Sequence, residues 1–279
     1  MSRPSRCRPT RPGPSWGKKD KNCDPKDPND QACGSYWDHV LLDPESKLVV
    51  SLVVGRRTAE TALEAFLDFY ERTDGCLPEL VTTDEYAPYL SVIVSAYGVL
   101  KEDLELTEAE KEACDWEAWP DLYVPAEIAY ATVHKERERG RVVGVEQRVL
   151  LGTAAHVGVA LGAGGGGGTV NTSYVERWHG TNRHFNARKA RKVYTFSKDL
   201  LFHVAVTWLC VVFYNFGWRP RTLREQIQAD PPRYRYRTPA MAAGLTDEPW
   251  SWQRILTYPL YRPEAVVKKP KRQRRKKKK

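Results

Sequence analysis

The order of secondary structure in residues 36–98 is the feature that most constrains the fold. Two β-rich runs, WDHVLLD and KLVVSLVVG, lie on either side of a polar turn at 44–46 and predict an antiparallel hairpin. Thr58 is a good helix N-cap, and apolar residues recur at helical spacing behind it. A third strand at 80–83 and a second helix at 86–97 follow. This order predicts an α/β fold with a partly parallel sheet.

Asp84 comes directly after the third predicted strand. A carboxylate at the carboxyl end of a strand in a strand–helix–strand unit occupies the position where α/β folds place their chemistry. Asp84 is therefore the first candidate site residue.

Composition shifts divide the rest of the chain. Residues 1–35 are rich in Pro, Lys and Asp and predict a basic, disordered lead, whereas 36–98 and 170–218 carry the patterns of a folded core. Between them, 99–169 is predicted as an insertion that contains an acidic stretch, a hairpin and a flexible glycine joint. Residues 219–267 form a Pro-broken extension, and 268–279 is a polybasic tail.

Charge is unevenly distributed along the chain. The formal net charge is +9, yet residues 23–267 are net acidic because both ends are strongly basic. This excludes a wholly cationic packing protein and favours local patches if the chain handles nucleic acid. Six cysteines without a C-x-x-C pair, and no apolar signal core near the N-terminus, predict a reduced cytoplasmic location.

The apolar segment 200–218 is long enough to span a bilayer. A soluble core helix has the same composition, and His203 and Asn215 within the segment would be costly in lipid. The sequence therefore favours a buried helix over 199–216 and no membrane association, and it predicts polar partners for both side chains.

A basic cluster lies between residues 176 and 237, where thirteen Lys and Arg face four acids and alternate with aromatic residues. Basic side chains bind phosphates and aromatic rings stack on bases, so the cluster favours nucleic acid over a solvated helix face. The candidate DNA-binding residues are Arg177, Arg188, Lys189, Arg191 and Lys192.

Two roles are open for Glu176. It completes a capping box with Ser173 at the start of a predicted helix, with Thr172 or Ser173 as the N-cap. Alternatively, Glu176 and Arg183 share one helix face two turns apart, which suits a phosphodiester: the carboxylate holds a divalent metal and the cation neutralises a phosphate oxygen.

Several separated blocks resemble bacterial insertion-sequence transposases of the DDE type: SLVVGRRTAETALEAF, LVTTDEYAPY, NTSYVERWHGTNRHFNARKARKVYTFSK, YNFGWRPRTLR and TPAMAAGLTD. The resemblance covers about residues 17–260. It implies an RNase H-like catalytic core, in which a mixed sheet is flanked by helices and an insertion separates the second and third catalytic carboxylates. On the matching positions these carboxylates are Asp84 and Glu176, both metal ligands, assisted by Arg183.

The first catalytic Asp of this family is missing here. It lies on the first strand, just before a segment like GKKDKN, which this chain has at 17–22. The preceding MSRPSRCRPTRPGPSW has no acid, and its prolines predict that no central strand forms. A shifted frame, a misplaced start or a decayed copy would each explain this. Asp20, Asp38 and Asp43 are the alternative acids, although Asp43 suits a turn.

The resemblance implies a transposase that cleaves and transfers DNA strands with Mg²⁺ or Mn²⁺. It also implies double-stranded DNA as partner, a homo-oligomer on DNA, and a bacterial cytoplasmic, nucleoid-associated location. A catalytically inactive DNA-binding derivative and a membrane-associated polybasic protein are the alternatives. Because one carboxylate is missing, we expect DNA binding with little or no cleavage.

Overall fold

A computed structural model describes residues 5–7, 15–16, 23–24, 26–27, 34–100, 122–138, 141–163, 168–189, 197 and 199–258. Its centre is a six-stranded mixed sheet. In chain order the strands are β1 (Ser5–Cys7), β4 (Trp37–Leu42), β5 (Val49–Gly55), β6 (Leu80–Asp84), β9 (Ala129–Glu138) and β10 (Arg141–Leu151). Helices cover both faces, so the predicted class, a mixed sheet flanked by helices in an α/β fold, is confirmed.

Across the sheet the order is β10-β9-β6-β1-β4-β5. Strands β1, β6 and β9 run parallel to one another. On one side β4 pairs antiparallel with β1 and forms a hairpin with β5, and on the other side β10 forms a hairpin with β9. The carboxyl ends of β1, β6 and β9 therefore meet at one edge of the sheet.

One face is covered by α1 (Ala59–Arg72) and α2 (Tyr89–Tyr97). Thr58 caps α1 by accepting a hydrogen bond from the backbone N–H of Thr61 at 3.3 Å, as predicted. Apolar side chains of both helices pack against alternate residues of the central strands in one buried cluster, which includes Leu41, Phe66, Val81, Tyr89, Ile93 and Tyr130.

The opposite face carries three helices: α3 (Ala154–Ala163), α4 (Ser173–Phe185) and α5 (Leu200–Val212). Helix α3 packs on β6 and β9, in a cluster that contains Leu80, Val133 and Val157. Helices α4 and α5 pack on β4 and β5, in a cluster that contains Val40, Leu42, Val175, Trp178 and Val211.

The remaining elements are short. Strands β2 (Ser15–Trp16) and β3 (Gly34–Ser35) pair with each other, as do β7 (Val99–Leu100) with β8 (Leu122–Tyr123) and β11 (Glu225–Gln228) with β12 (Arg233–Arg235). A π-helical turn, Phe213–Gly217, extends α5, and 3-10 turns lie at Ala187–Lys189 and Arg221–Leu223. Two short helices, α6 (Pro239–Ala242) and α7 (Trp252–Thr257), follow.

The prediction that the N-terminal sixteen residues form no central strand is wrong. Ser5–Cys7 lies between β4 and β6, antiparallel to the first and parallel to the second. Its three residues fall between Pro4 and Pro9 and contain no proline, so each keeps the N–H that a ladder requires. The prolines limit the length of this strand, but they do not prevent it.

The predicted hairpin at 130–151 forms, and it extends the central sheet. Strand β9 pairs in parallel with β6 from Leu80 through Asp84, and β10 closes the sheet beyond it. Parallel pairing joins segments far apart in sequence, and periodicity alone does not reveal it. The predicted acidic part at 101–121 lies outside the described residues, as do most of the lead at 1–35, residues 164–167 of the predicted glycine joint and everything from 259 onward.

The apolar segment forms a helix as predicted, but only one face of it is buried. Its inward positions are His203, Thr207 and Val211, while Leu201 and Phe202 are 77% and 64% exposed. Among the described residues, Leu200–Leu223 is the single helical stretch whose length and composition would allow it to cross a membrane, and 28% of its most apolar window is buried.

The predicted polar partners in this segment are confirmed. The Nδ1 atom of His203 lies 3.0 Å from the Ser197 hydroxyl. The Asn215 side chain accepts from the backbone N–H of Val49 at 3.0 Å and donates to its carbonyl at 2.9 Å. Asn215 thus satisfies the outward backbone groups at the start of edge strand β5.

Candidate functional site

The candidate site lies at the edge where the parallel strands end. Asp84 is the last residue of β6 and the register partner of Val133 in β9. Val133 packs in the cluster beneath α3, together with Leu80 of β6. Because register partners and residues two apart along a strand share a sheet face, Asp84 belongs to the face that carries α3, α4 and α5.

Lys135 brings Glu176 to the same face. It lies two residues after Val133 on β9, and its ammonium is 2.8 Å from Oε1 of Glu176. Asp84 and Glu176, 92 residues apart in sequence, are therefore on one face of the sheet and not on opposite faces. Opposite faces would have excluded a shared site.

Glu176 lies in the first turn of α4, and its environment differs from the predicted capping box. Thr172 is the N-cap, one of the two predicted candidates, and its side chain makes no capping hydrogen bond. The Thr172 hydroxyl donates to Glu176 at 3.2 Å, and the Ser173 hydroxyl donates to Asn171 at 2.6 Å. The Glu176 carboxylate is thus held by Thr172 and Lys135, with 40% of the side chain exposed.

Helix α4 has three distinct sides. Val175 and Trp178 are buried against the sheet and α5, and Asn182 is also buried. Glu176 and Arg183 are two turns apart on one flank, as the sequence predicts, and Arg183 is exposed in the last turn. The opposite flank carries three side chains spaced along the helix, Tyr174, Arg177 and Thr181.

Lys189 is not on a solvent-facing basic surface. Its ammonium is 2.5 Å from Oδ2 of Asp38 in β4, and the two side chains are only 6% and 12% exposed. The neighbouring Arg188 is exposed. In the described conformation the Lys189 ammonium is therefore paired with Asp38. The other predicted members of this group, Arg191 and Lys192, lie outside the described residues.

The Asp38–Lys189 pair alters the protonation of its surroundings. Burial alone would raise the pKa of Asp38, but the charge and hydrogen bond of Lys189 outweigh it and lower that pKa. Burial, reinforced by the nearby Lys189 charge, lowers the pKa of His203 to about 4. At neutral pH this region therefore holds one buried ion pair and a neutral imidazole.

Of the alternative acids, Asp43 has the turn role that the sequence favoured. Its carboxylate accepts from the backbone N–H groups of Glu45 at 3.2 Å and Ser46 at 3.1 Å, within the β4–β5 turn. Asp38 is engaged by Lys189, and Asp20 lies outside the described residues.

The described residues do not fit a pair of divalent ions. In-line displacement at phosphorus with two metals requires several carboxylates around ions about 4 Å apart. Asp84 and Glu176 share a face, but Glu176 is already held by the ammonium of Lys135. Within the described ranges no group of three or more His, Cys, Asp and Glu side chains is arranged to hold a metal ion.

Sequence reasoning missed two residues of this region, Lys135 and the buried role of Asp38. Lys135 stands at the start of KERERGR, where alternating charges indicate only a solvated hairpin. A parallel pairing of β9 with β6 would have shown that Lys135 follows Val133, the partner of Asp84, on one face.

No protein-family model matches the chain, and no curated protein matches it significantly.

Proposed function

We propose that this chain is a DNA transposase of the DDE type built on an RNase H-like core, and that it acts on DNA ends. The observation that carries the proposal is the shared face of Asp84 and Glu176 at the edge where β6 and β9 end. Open α/β sheets place ligands at this edge. The resemblance of the LVTTDEYAPY and NTSYVERWHG blocks to that family supports the same assignment.

The strand order supports the RNase H-like part of the proposal. The hairpin of β4 and β5 lies on one side of β1. On the other side of β1, the strands β6 and β9 extend the sheet in parallel, and a helical connection precedes β6. The proposed catalytic carboxylates then come from the end of a central strand and from a helix that packs across the sheet.

In this proposal Arg183 and exposed Arg188 contact phosphates of double-stranded DNA, with Arg191 and Lys192 as further candidates. Lys135, a residue of β9 that the sequence did not single out, pairs with Glu176 at the same edge. Magnesium or manganese would contribute Lewis-acid stabilisation if Asp84 and Glu176 were joined by another carboxylate.

A second candidate is a DNA-binding derivative without strand-transfer activity, and the donor set favours it. The strand beside β6 contributes Ser5, Arg6 and Cys7, none of which is a carboxylate. Glu176 is held by Lys135, as an inactivated site would allow. Both candidates share the architecture and DNA as substrate, and they differ only in catalysis.

One pair of assays separates the candidates. The purified chain is incubated with labelled duplex DNA and either Mg²⁺, Mn²⁺ or chelator, and binding and nicking are measured on the same samples. Binding without metal-dependent nicking supports the derivative. Nicking that disappears in Asp84→Ala and Glu176→Ala, but not in the turn variant Asp43→Asn, supports the active enzyme. Absence of any DNA binding would overturn both.

A further inference from the structure

A groove lies on the flank of α4 opposite to Glu176. It encloses about 630 Å³, a volume within the usual range for ligand sites. The β4–β5 turn forms one wall, α4 the second, and the segment after α5 the third. The lining residues are Leu42, Lys47, Ser173, Tyr174, Arg177, Thr181, Tyr214, Trp218, Pro220, Arg221 and Thr222.

The charge of this groove is entirely positive. Lys47, Arg177 and Arg221 line it, and none of its described lining residues is acidic. Neither Arg177 nor Arg221 forms a salt bridge with another described residue, and both are exposed. Guanidinium groups that lack an internal carboxylate favour an external anion, and their planar donors suit phosphate oxygens.

Aromatic rings stand beside these cations. The Lys47 ammonium lies 3.5 Å from the ring centre of Tyr174. Trp218 is supported from behind by Tyr214 and Phe185, with ring centres 5.3 and 5.6 Å away, so its position is fixed by packing. Three hydroxyls, from Ser173, Thr181 and Thr222, complete the lining.

Arg177 also affects the protonation of the Tyr214 hydroxyl. Burial raises the pKa of the Tyr214 hydroxyl, and the charge of Arg177 partly offsets that rise. Both residues line the groove. Cation, ring and hydroxyl therefore converge within one groove.

We infer that this groove binds an unpaired nucleotide of DNA, with Arg177 and Arg221 on its phosphates and Tyr174 or Trp218 against its base. Positive grooves with accessible aromatic rings are the common device for single strands, because every base offers a stacking face. The inference rests on the proposed function, because a transposase would bind a DNA strand along α4, close to Glu176. It predicts that DNA with a single-stranded end binds better than blunt DNA.

The test uses the full chain and four fluorescein-labelled probes that share one 20-bp duplex. The first is blunt, the second and third carry a four-thymidine tail at the 5′ or 3′ end, and the fourth carries an abasic tail of equal length. Binding is measured by anisotropy across a salt series. We expect one of the thymidine tails to tighten binding at least about fivefold, and the abasic tail to lose most of that gain.

The variants are Arg177→Ala, Arg221→Ala and Tyr174→Leu, with Arg219→Ala as the matched control. Arg219 is an exposed arginine in the same segment as Arg221 but outside the groove lining. Each arginine removed from the groove should reduce the salt slope for tailed DNA by about 0.7 more than the slope for blunt DNA. Arg177→Lys keeps the charge and the fold, so partial retention of the tail effect is expected there.

The outcomes distinguish the groove from the proposed function. Blunt DNA that binds without any gain from a tail, or a tail gain that survives in Arg177→Ala and Arg221→Ala, overturns the groove alone. A (dT)8 oligonucleotide that binds through Arg177 while duplex DNA does not bind overturns the proposed function and supports the groove. Equal gains in affinity from the thymidine and abasic tails would show that the groove binds phosphates only, and they would overturn the proposed contact with a base.

Discussion

The Asp38–Lys189 pair provides the sharpest test of the packing beneath α4. Replacing Lys189 with Met removes the ammonium and leaves the Asp38 carboxylate buried, since that side chain is only 12% exposed. Breaking one side of a buried ion pair costs about 3–5 kcal/mol, because the remaining charge is neither solvated nor paired. A loss of that size is a large fraction of the roughly 5–15 kcal/mol that typically holds a domain together.

The assay is unfolding in urea, monitored by circular dichroism. We expect the midpoint of Lys189→Met to fall by about 1 M or more with an unchanged slope, given the slopes usual for domains of this kind. The double variant Asp38→Leu/Lys189→Met should recover most of the loss, because two apolar side chains replace two charges. Arg188→Met is the matched control: Arg188 is exposed, so we expect a change within about 0.5 kcal/mol.

The pH dependence has a definite sign. In the wild type the lowered pKa of Asp38 contributes stability above the unfolded pKa of about 3.9, and this is lost as pH falls through the folded pKa. Without Lys189, burial instead raises the Asp38 pKa, so acidification from about pH 7 to about pH 5 should narrow the gap between variant and wild type. A variant within about 1 kcal/mol of the wild type, or a gap independent of pH, would refute this account of the pair.

Three further outcomes are expected. The pKa of His203 falls from 6.5 to about 4 on folding, so the protein should lose on the order of 2 kcal/mol of stability as pH drops through that window. In His203→Gln the urea midpoint should change much less between about pH 7 and about pH 4.5. Asn215→Ala should cost about 1–3 kcal/mol in the same assay, because two backbone groups of edge strand β5 lose their partner. Charge reversal at Arg188, Arg191 and Lys192 should weaken duplex binding and flatten its salt dependence by about 0.9 per lost phosphate contact; an unchanged slope would remove these residues from the interface.

Local patterns predicted the first half of the sheet well. The hairpin of β4 and β5, the Thr58 cap and the strand that ends at Asp84 follow from alternation and capping, which act over a few residues. Strand β9 was also recognisable as a strand. Its parallel partner was not, because β6 and β9 are joined only by long-range hydrogen bonds that leave no local signal.

The two main errors have different physical causes. Proline content argued against β1, but a strand needs only the few residues that donate and accept in the ladder, and Ser5–Cys7 is free of proline. The sequence predicts that helix α5 is buried because the segment is apolar. Its inward positions His203 and Thr207 make polar contacts, the first as predicted, but apolar residues such as Leu201 remain exposed. The apolar content of a helix as a whole does not determine which of its faces packs.

Part of the candidate site was predictable from the sequence, but its electrostatics were not. The spacing of Glu176 and Arg183 and the strand-end position of Asp84 are local features. The ammonium of Lys135 on Glu176 and that of Lys189 on Asp38 join residues 41 and 151 positions apart, so only the folded chain reveals them. These two contacts pair the ammonium groups of Lys135 and Lys189 with carboxylates inside the described part of the chain.

Helix α4 connects the sheet edge with the groove, because each of its three sides contacts a different part of the molecule. Its buried side anchors on the sheet through Val175 and Trp178, so both exposed flanks are held in fixed register with the strands. One flank presents Glu176 toward β9, and the other presents Arg177 to the groove one residue further along. Adjacent residues of a helix point about 100° apart, so a strand seated by Arg177 would pass over the first turn of α4 toward Glu176. The proposed binding at the groove and the proposed chemistry at the sheet edge should therefore be separable by mutation, although one helix positions both. Because none of the described groove residues is a carboxylate, the proposed DNA-binding derivative would keep the groove without any metal ligand.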